Sequence, residues 1–170
     1  MPAPLPLPGR RFGLTADTHD DLADWPAALA ALRQAWGEVD GVLHCGDITH
    51  LPALADLAGI APVYATRSQD DPAAQPPQLT DGLRTFRIGE LTVGLVFQLG
   101  KAPLSAETAA AAFGEPIDVC VFGGSHQSRA AVSGGVLYVN PGSPSLAKRR
   151  TTAVLTVDGA VADVEIIPIP

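Results

Sequence analysis

Sulfur is scarce in this chain, with two cysteines, Cys45 and Cys120, and one methionine among 170 residues. A secreted disulfide scaffold packs more cysteines into a shorter chain, so both thiols are expected reduced and buried in apolar strands. Neither belongs to a Cys-x-x-Cys pair, which removes a thiol–disulfide redox reading. Positive charge is short as well: 11 Lys+Arg stand against 18 Asp+Glu, a net charge of −7. That balance argues against a nucleic-acid partner and against a polybasic membrane-surface binder. No apolar run approaches the ~18 residues of a membrane span, and the first residues lack a signal-peptide core. A soluble cytoplasmic location, with no membrane partner, is the expectation.

A hydrophobic content of 46% excludes a disordered chain, and the length predicts a single domain with a substantial interior. Prolines at 2, 4, 6 and 8 break up the start, so residues 1–10 are expected to form a flexible Pro-rich tail before a domain over 11–170.

Periodicity orders the rest. Residues 11–17 alternate as a strand. Asp24-Trp25-Pro26 reads as a helix start, since Asp caps and Pro is tolerated in the first turn, and the helix runs to Trp36 before Gly37. Strands over 39–44 and 63–65 flank a second helix over 51–58. Residues 70–82, rich in proline, are expected to be a loop, and loops of that length are often functional lids. Two runs over 83–88 and 91–97, joined by Gly89-Glu90, predict a hairpin. A helix over 105–113 and strands over 119–122, 136–139, 152–157 and 161–167 complete the chain, the last two joined at Asp158-Gly159. Alternating strands and helices followed by mostly strands predict an α/β domain whose parallel portion grades into antiparallel strands.

Three polar clusters follow predicted strands: Asp17-Thr18-His19, Gly46-Asp47 and Gly123-Gly124-Ser125-His126. In open α/β sheets the carboxyl ends of strands line the ligand crevice, so these clusters can converge there. Two carboxylates and two imidazoles would neutralise and coordinate a divalent transition metal. Mixed nitrogen and oxygen donors suit Mn, Fe, Zn or Ni better than Ca or Mg. Singly, each cluster also reads as a turn, because Asp and Gly favour turns without any function. It is their succession, each after a strand, that carries the signal, and Asn140-Pro141-Gly142-Ser143 adds to it.

With these motifs the chain resembles the calcineurin-like metallophosphoesterases, in particular their small single-domain phosphodiesterase branch, to which the phosphoesterase-fold subunit of retromer is related. The resemblance spans about residues 11–168 and implies a four-layer α/β/β/α sandwich with mixed sheets. It also implies a pair of metals that clamp a phosphate ester. By that resemblance Asp17, His19, Asp47 and His126 are the ligands of the first metal. The second metal would share Asp47 and use the positions of Ser68, Phe97 (or Gln98, with a one-residue shift) and Gly124. Ser is a weak neutral ligand, and Phe and Gly side chains carry no donor. The second site is therefore expected to be vacated and the cofactor to be one divalent transition metal.

Arg67 stands beside Ser68, and a guanidinium forks onto phosphate oxygens. Arg67, with Ser68 and Gln98, is the expected phosphate-binding set. Gln69 is neutral and cannot serve as a general acid. His44 is expected to support the site from behind, and His50 to lie on the surface. Asp20, Asp21 and Asp70 would tune its charge, and Lys148-Arg149-Arg150 would form a solvated turn. The catalytic residues proper stay unassigned. The expected function is a divergent metal-dependent phosphoesterase, acting slowly on a small phosphodiester or phosphomonoester. The alternatives are a non-catalytic binding or scaffolding protein with a protein partner, and a protein that sequesters a phosphorylated ligand.

Overall fold

The computed structural model describes residues 3–19, 24–71 and 79–170. Its strands are β1 (Leu5–Pro6), β2 (Arg11–Thr15), β3 (Gly41–His44), β4 (Val63–Arg67), β5 (Leu79–Asp81), β6 (Arg84–Ile88), β7 (Leu91–Val96), β8 (Val119–Phe122), β9 (Arg129–Ser133), β10 (Val136–Asn140), β11 (Thr151–Asp158) and β12 (Val161–Pro168). The helices are α1 (Trp25–Trp36), α2 (Pro52–Ala58) and α3 (Ala106–Phe113). One six-stranded sheet runs β12-β11-β2-β3-β4-β5 and the other β1-β6-β7-β8-β10-β9. Both are mixed. β2 to β5 are parallel with β11 antiparallel to β2, and β7, β8 and β10 are parallel with β6 and β9 antiparallel at their flanks.

The sheets face each other across an apolar interior. Phe12, Leu14 and Leu43 from one sheet pack with Phe86, Val93, Leu95, Val121 and Val139 from the other. The outer face of the first sheet is covered by α1 and α2 through Leu32, Trp36, Leu54 and Leu57 against Val42, Val63 and Val154. On the outer face of the second sheet, Ala109 and Phe113 of α3 pack on Cys120 and Tyr138. The result is the four-layer α/β/β/α sandwich that the resemblance implied.

Local chemistry explains the helices. The Asp24 side chain accepts from the Ala27 amide at 3.3 Å, and the buried residues Trp25, Ala28, Leu32 and Trp36 form one face at helical spacing. Trp36 lies flat against β2, where a Cβ on Gly13 would stand 2.6 Å from its ring. Its indole N–H donates to Thr152 Oγ1 at 2.9 Å. Ser105 caps α3 through the Thr108 amide, and Gly114 closes it in the left-handed conformation.

Four expectations are corrected. Residues 5–7 are not a loose tail: β1 pairs with β6, the Leu7 amide donates to the Arg87 carbonyl at 2.9 Å, and the Leu7 side chain is buried in the core. The Pro-rich composition hid this, because proline at a sheet edge loses no ladder hydrogen bond. Within the expected loop at 70–82, Leu79–Asp81 forms β5 beside β4, while 72–78 lie outside the described residues. Arg129–Ser133, unassigned from sequence, is an edge strand on β10. β2 ends at Thr15 rather than Asp17. Both cysteines are free and buried; burial pushes the Cys120 thiol up to about 12 and the Cys45 thiol well above its usual value, so both stay protonated and unreactive.

Candidate metal centre

Parallel strands of both sheets deliver their carboxyl ends to one rim. β2 leads to Asp17 and His19, β3 to Asp47, and β8 to His126. One donor atom from each of these four residues lies within 4.8 Å of the other three. His19 Nε2 is 3.6 Å from Asp47 Oδ2, and His126 Nε2 is 3.8 Å from Asp17 Oδ1. The sequence therefore named a set that the fold brings together.

The backbone is bent to achieve this. Among the described residues, the non-glycine positions with positive φ are Asp17, His19, Asp47, Thr49 and His126. All four donors are thus held in a left-handed conformation, which non-glycine residues seldom adopt and which costs on the order of 1–3 kcal/mol each. Strain concentrated in one ligand set points to function at that set.

The surrounding hydrogen bonds explain how the strain is held. The β2–β3 ladder continues past both strands, with Asp17 N donating to the Gly46 carbonyl at 3.0 Å and His19 N to the Asp47 carbonyl at 3.1 Å. The Asp71 carboxylate accepts from the amides of Asp47 (3.0 Å), Ile48 (2.6 Å), Thr49 (2.8 Å) and Ser68 (2.8 Å). It clamps the loops after β3 and β4 to each other. On the other side, Ser143 Oγ donates to the Asp17 carbonyl at 2.7 Å, and Ser145 Oγ donates to the Thr18 carbonyl. Asn140 Nδ2 donates to Ser125 Oγ at 3.1 Å in the loop that carries His126.

His44 supports the site and offers it no ligand atom. Its Nδ1 accepts the Gly46 N–H at 3.0 Å, so the ring proton sits on Nε2, where it faces Thr18 Oγ1 at 3.2 Å. Thr18 Oγ1 in turn donates to the Asp47 carbonyl at 3.4 Å. Burial holds the His44 pKa down to about 4, with His19 adding to the depression and Asp71 opposing it. The ring is therefore neutral, as this hydrogen-bond pattern requires.

Whether the cluster suits a cation can be judged from its own atoms. Asp47 Oδ1 is buried without a hydrogen-bond partner among the described residues, a costly state for a carboxylate oxygen. Asp17 is pushed up to about 7, chiefly by burial and further by the Asp47 carboxylate; the Gly124 N–H, at 3.0 Å from Oδ2, works against that rise. His126 is lowered, first by burial and then by His19. Two crowded carboxylates and two facing imidazoles are mutually destabilising alone and are compatible around a divalent ion. The donors fit a transition metal of the Mn, Fe, Zn or Ni kind.

Beside this cluster, the positions expected to be vacated also converge. A Cβ on Gly46 would lie 3.0 Å from the Phe97 ring and 3.1 Å from the Ser68 amide. The space that a side chain on Gly124 would need is filled by Gln98. Ser68 is buried, with its Oγ accepting the Asp70 amide at 3.1 Å. The Arg67 side chain is half-buried and donates from Nη1 to the Asp71 carbonyl at 3.3 Å. Gln69 and Asp70 are exposed, as is His50, while Asp20 and Asp21 lie outside the described residues.

Sequence reasoning missed Asp71 and Ser145. The first sits at the head of a proline-rich segment and works on the backbone amides of a distant loop, a pairing that no local pattern reveals. Ser145 follows the Asn-Pro-Gly-Ser run by two residues, and the shared β10 exit could have pointed to it.

Comparison with known proteins gives a consistent result. Residues 11–160 match the calcineurin-like phosphoesterase superfamily domain. A probable metallophosphoesterase of Methanothermobacter thermautotrophicus is 30% identical over 167 residues, covering 92% of this chain and 91% of that protein. Vps29 of Chaetomium thermophilum superposes with a TM-score of 0.73 at 18% identity, covering 94% of this chain and 96% of that one. A structurally characterised archaeal phosphodiesterase does so with a TM-score of 0.71 at 20% identity, covering 92% and 99%.

Proposed function

This chain belongs to the calcineurin-like phosphoesterase superfamily, and from that premise we propose that it is a metal-dependent phosphoesterase working with one cation. The cation would be held by Asp17, His19, Asp47 and His126. The observation that carries this reading is the four-donor cluster with its partnerless Asp47 Oδ1.

When bound, a divalent cation acts as a Lewis acid on a phosphoryl oxygen and acidifies water. The chain's own groups do the rest. Asp17 and Asp47 set the charge of the centre, and Asp71, His44 and Ser143 fix the loops that aim them. Gln98, packed over Gly124, presents an amide that can hydrogen-bond a phosphate oxygen. Ser68 keeps its hydroxyl proton available while its oxygen accepts from Asp70. Arg67 completes the phosphate-binding set as a fixed positive charge. With Ser68, Phe97 and Gly124 supplying no strong donor, a second ion would keep only Asp47 of its expected ligands and be weakly held. Two-metal catalysis stabilises both attacking and leaving oxygens, so a one-metal centre works slowly.

The same filling of the second position by Gln98 favours a second reading, a non-catalytic binding or scaffolding protein on this fold, as the likeness to Vps29 allows. A single experiment decides between them. Metal content is measured after loading with Mn²⁺, Ni²⁺ or Zn²⁺, together with hydrolysis of bis(p-nitrophenyl) phosphate. One equivalent of metal with turnover that His126→Ala abolishes supports the enzyme; metal binding without turnover supports the scaffold. Unchanged phosphate affinity in Arg67→Ala would remove Arg67 from the phosphate-binding set.

A further inference from the structure

The basic run Lys148-Arg149-Arg150 is the exposed turn before β11 that its sequence predicts, and it has a second aspect. It lines a cleft of about 1010 Å³ that begins at His126 and Ser125 and ends at the last residues, Ile169 and Pro170. The candidate metal ligand and the three cations thus share one cavity. Among the described residues no acidic side chain lines it. This is unusual ground in a protein of net charge −7, whose overall field repels an anionic ligand.

The groups in the cleft differ in availability. Arg150 Nη1 donates to the Pro170 carbonyl at 3.1 Å, and the Ile169 amide donates to the Arg150 carbonyl at 3.1 Å. Arg150 therefore ties the chain end into the cleft wall. Lys148 and Arg149 are exposed, and each reaches the cavity without an ion pair to any described residue. Leu146, Ile166 and Pro168 add apolar surface to the same lining. Along β12 the carboxylates of Asp163 and Glu165 alternate with Ile166, and strand geometry sends them to the other face. A pair of uncommitted cations beside an apolar wall suits an organic group that carries a phosphate.

We propose that this cleft is a second-phosphate subsite, so that the ligand class of the metal centre is a phosphoester whose organic part bears a further phosphate, held by Lys148 and Arg149. This rests on the phosphoesterase reading for the first phosphate and adds a specificity that the reading does not contain. The second phosphate occupies the cationic side of the cleft, the organic group lies along Leu146 and Ile166, and the first phosphate reaches the His126 end.

The probes are adenosine 3′,5′-bisphosphate and adenosine 5′-monophosphate, titrated calorimetrically into the Mn²⁺-loaded protein. The p-nitrophenyl ester of thymidine 5′-phosphate, with and without a 3′-phosphate, gives the turnover arm. Two charge-assisted contacts predict at least about tenfold tighter binding of the bisphosphate. The Lys148→Ala/Arg149→Ala protein should bring that ratio close to one. The Arg33→Ala/Arg87→Ala protein, which loses the same charge at residues that do not line the cleft, should keep it. Equal affinity for the two nucleotides, or equal loss of preference in both double variants, overturns the subsite. A bisphosphate preference without turnover of either ester leaves the subsite standing and removes the hydrolase reading. Turnover of both esters with the same KM does the reverse.

Discussion

His19 Nε2 and His126 Nε2 lie 3.2 Å apart although 107 residues separate them in the chain. The rings meet at 5.1 Å between centroids and are tilted by 48°. Two imidazole nitrogens at this distance compete for one proton or share one cation, and the carboxylates of Asp17 and Asp47 beside them favour the cation.

Metal should therefore stabilise the fold through this pair. At a free concentration 100 times its dissociation constant, a single ion contributes about 2.7 kcal/mol. Thermal unfolding with Mn²⁺ should show a rise in Tm of several degrees for the native chain and almost none for His126→Ala or Asp17→Ala. Equal shifts in all three proteins would place the ion elsewhere.

Metal binding should also expel a proton. Asp17, raised to about 7 by burial, is largely protonated at pH 6 in the metal-free protein, and the ion requires its carboxylate. Apparent affinity should fall up to tenfold for each pH unit below about 7. Calorimetry at pH 6 in buffers of different ionisation enthalpy should count close to one proton released per ion from this group, and Asp17→Asn should remove that proton along with most of the affinity.

His44 predicts a pH dependence of stability. Unfolded, the ring titrates near its ordinary 6.5; folded, burial holds it near 4. Between those values the unfolded chain binds more protons. The stabilisation is thus complete above 6.5 and is lost as pH falls towards 4, by about 1.4 kcal/mol per unit. Urea denaturation at several pH values should show this slope as the difference between the native protein and His44→Gln, with the Asp17 contribution cancelling in the comparison.

Asp71 should matter more than its surroundings suggest. Asp71→Ala leaves the amides of Asp47, Ile48, Thr49 and Ser68 without their shared acceptor. A loss of at least about 3 kcal/mol is expected, since each buried unsatisfied donor costs about 1–3 kcal/mol. Loss of this support should also weaken metal binding by about 10–100-fold. Denaturation and metal titration of one protein sample test both effects.

Gly124 and Gln98 should be coupled. Gly124 has φ of +80°, and a Cβ there would overlap the exposed Gln98 side chain unless that side chain moved aside. Gly124→Ala should destabilise by about 1–3 kcal/mol through strain and overlap. Gln98→Ala in the same protein should recover the overlap part and leave the strain, a positive coupling in a double-mutant cycle.

What could be read from sequence followed the physics of each element. The long helix was legible because Asp24, Pro26 and the Trp25/Ala28/Leu32/Trp36 face all act within one segment. The four donors were legible because each directly follows a strand. β9 was not, since its Arg129–Ser133 run is largely exposed and alternates no buried face. β1 was hidden among prolines, its role resting on one buried Leu7 and the pairing offered by β6. Asp71 was hidden because a carboxylate that binds backbone amides across the fold leaves no spacing to detect. The basic run at 148–150 was legible as a solvated turn, but only the tertiary fold sets it in one cleft with His126.

Three of the clustered donors leave the strands of one sheet, and His126 leaves the other. An ion seated among them would rivet the two halves of the sandwich across their shared rim. Amide hydrogens in β3 and in β8 should then exchange with solvent more slowly together on loading, and their protection should fall together when a chelator strips the ion.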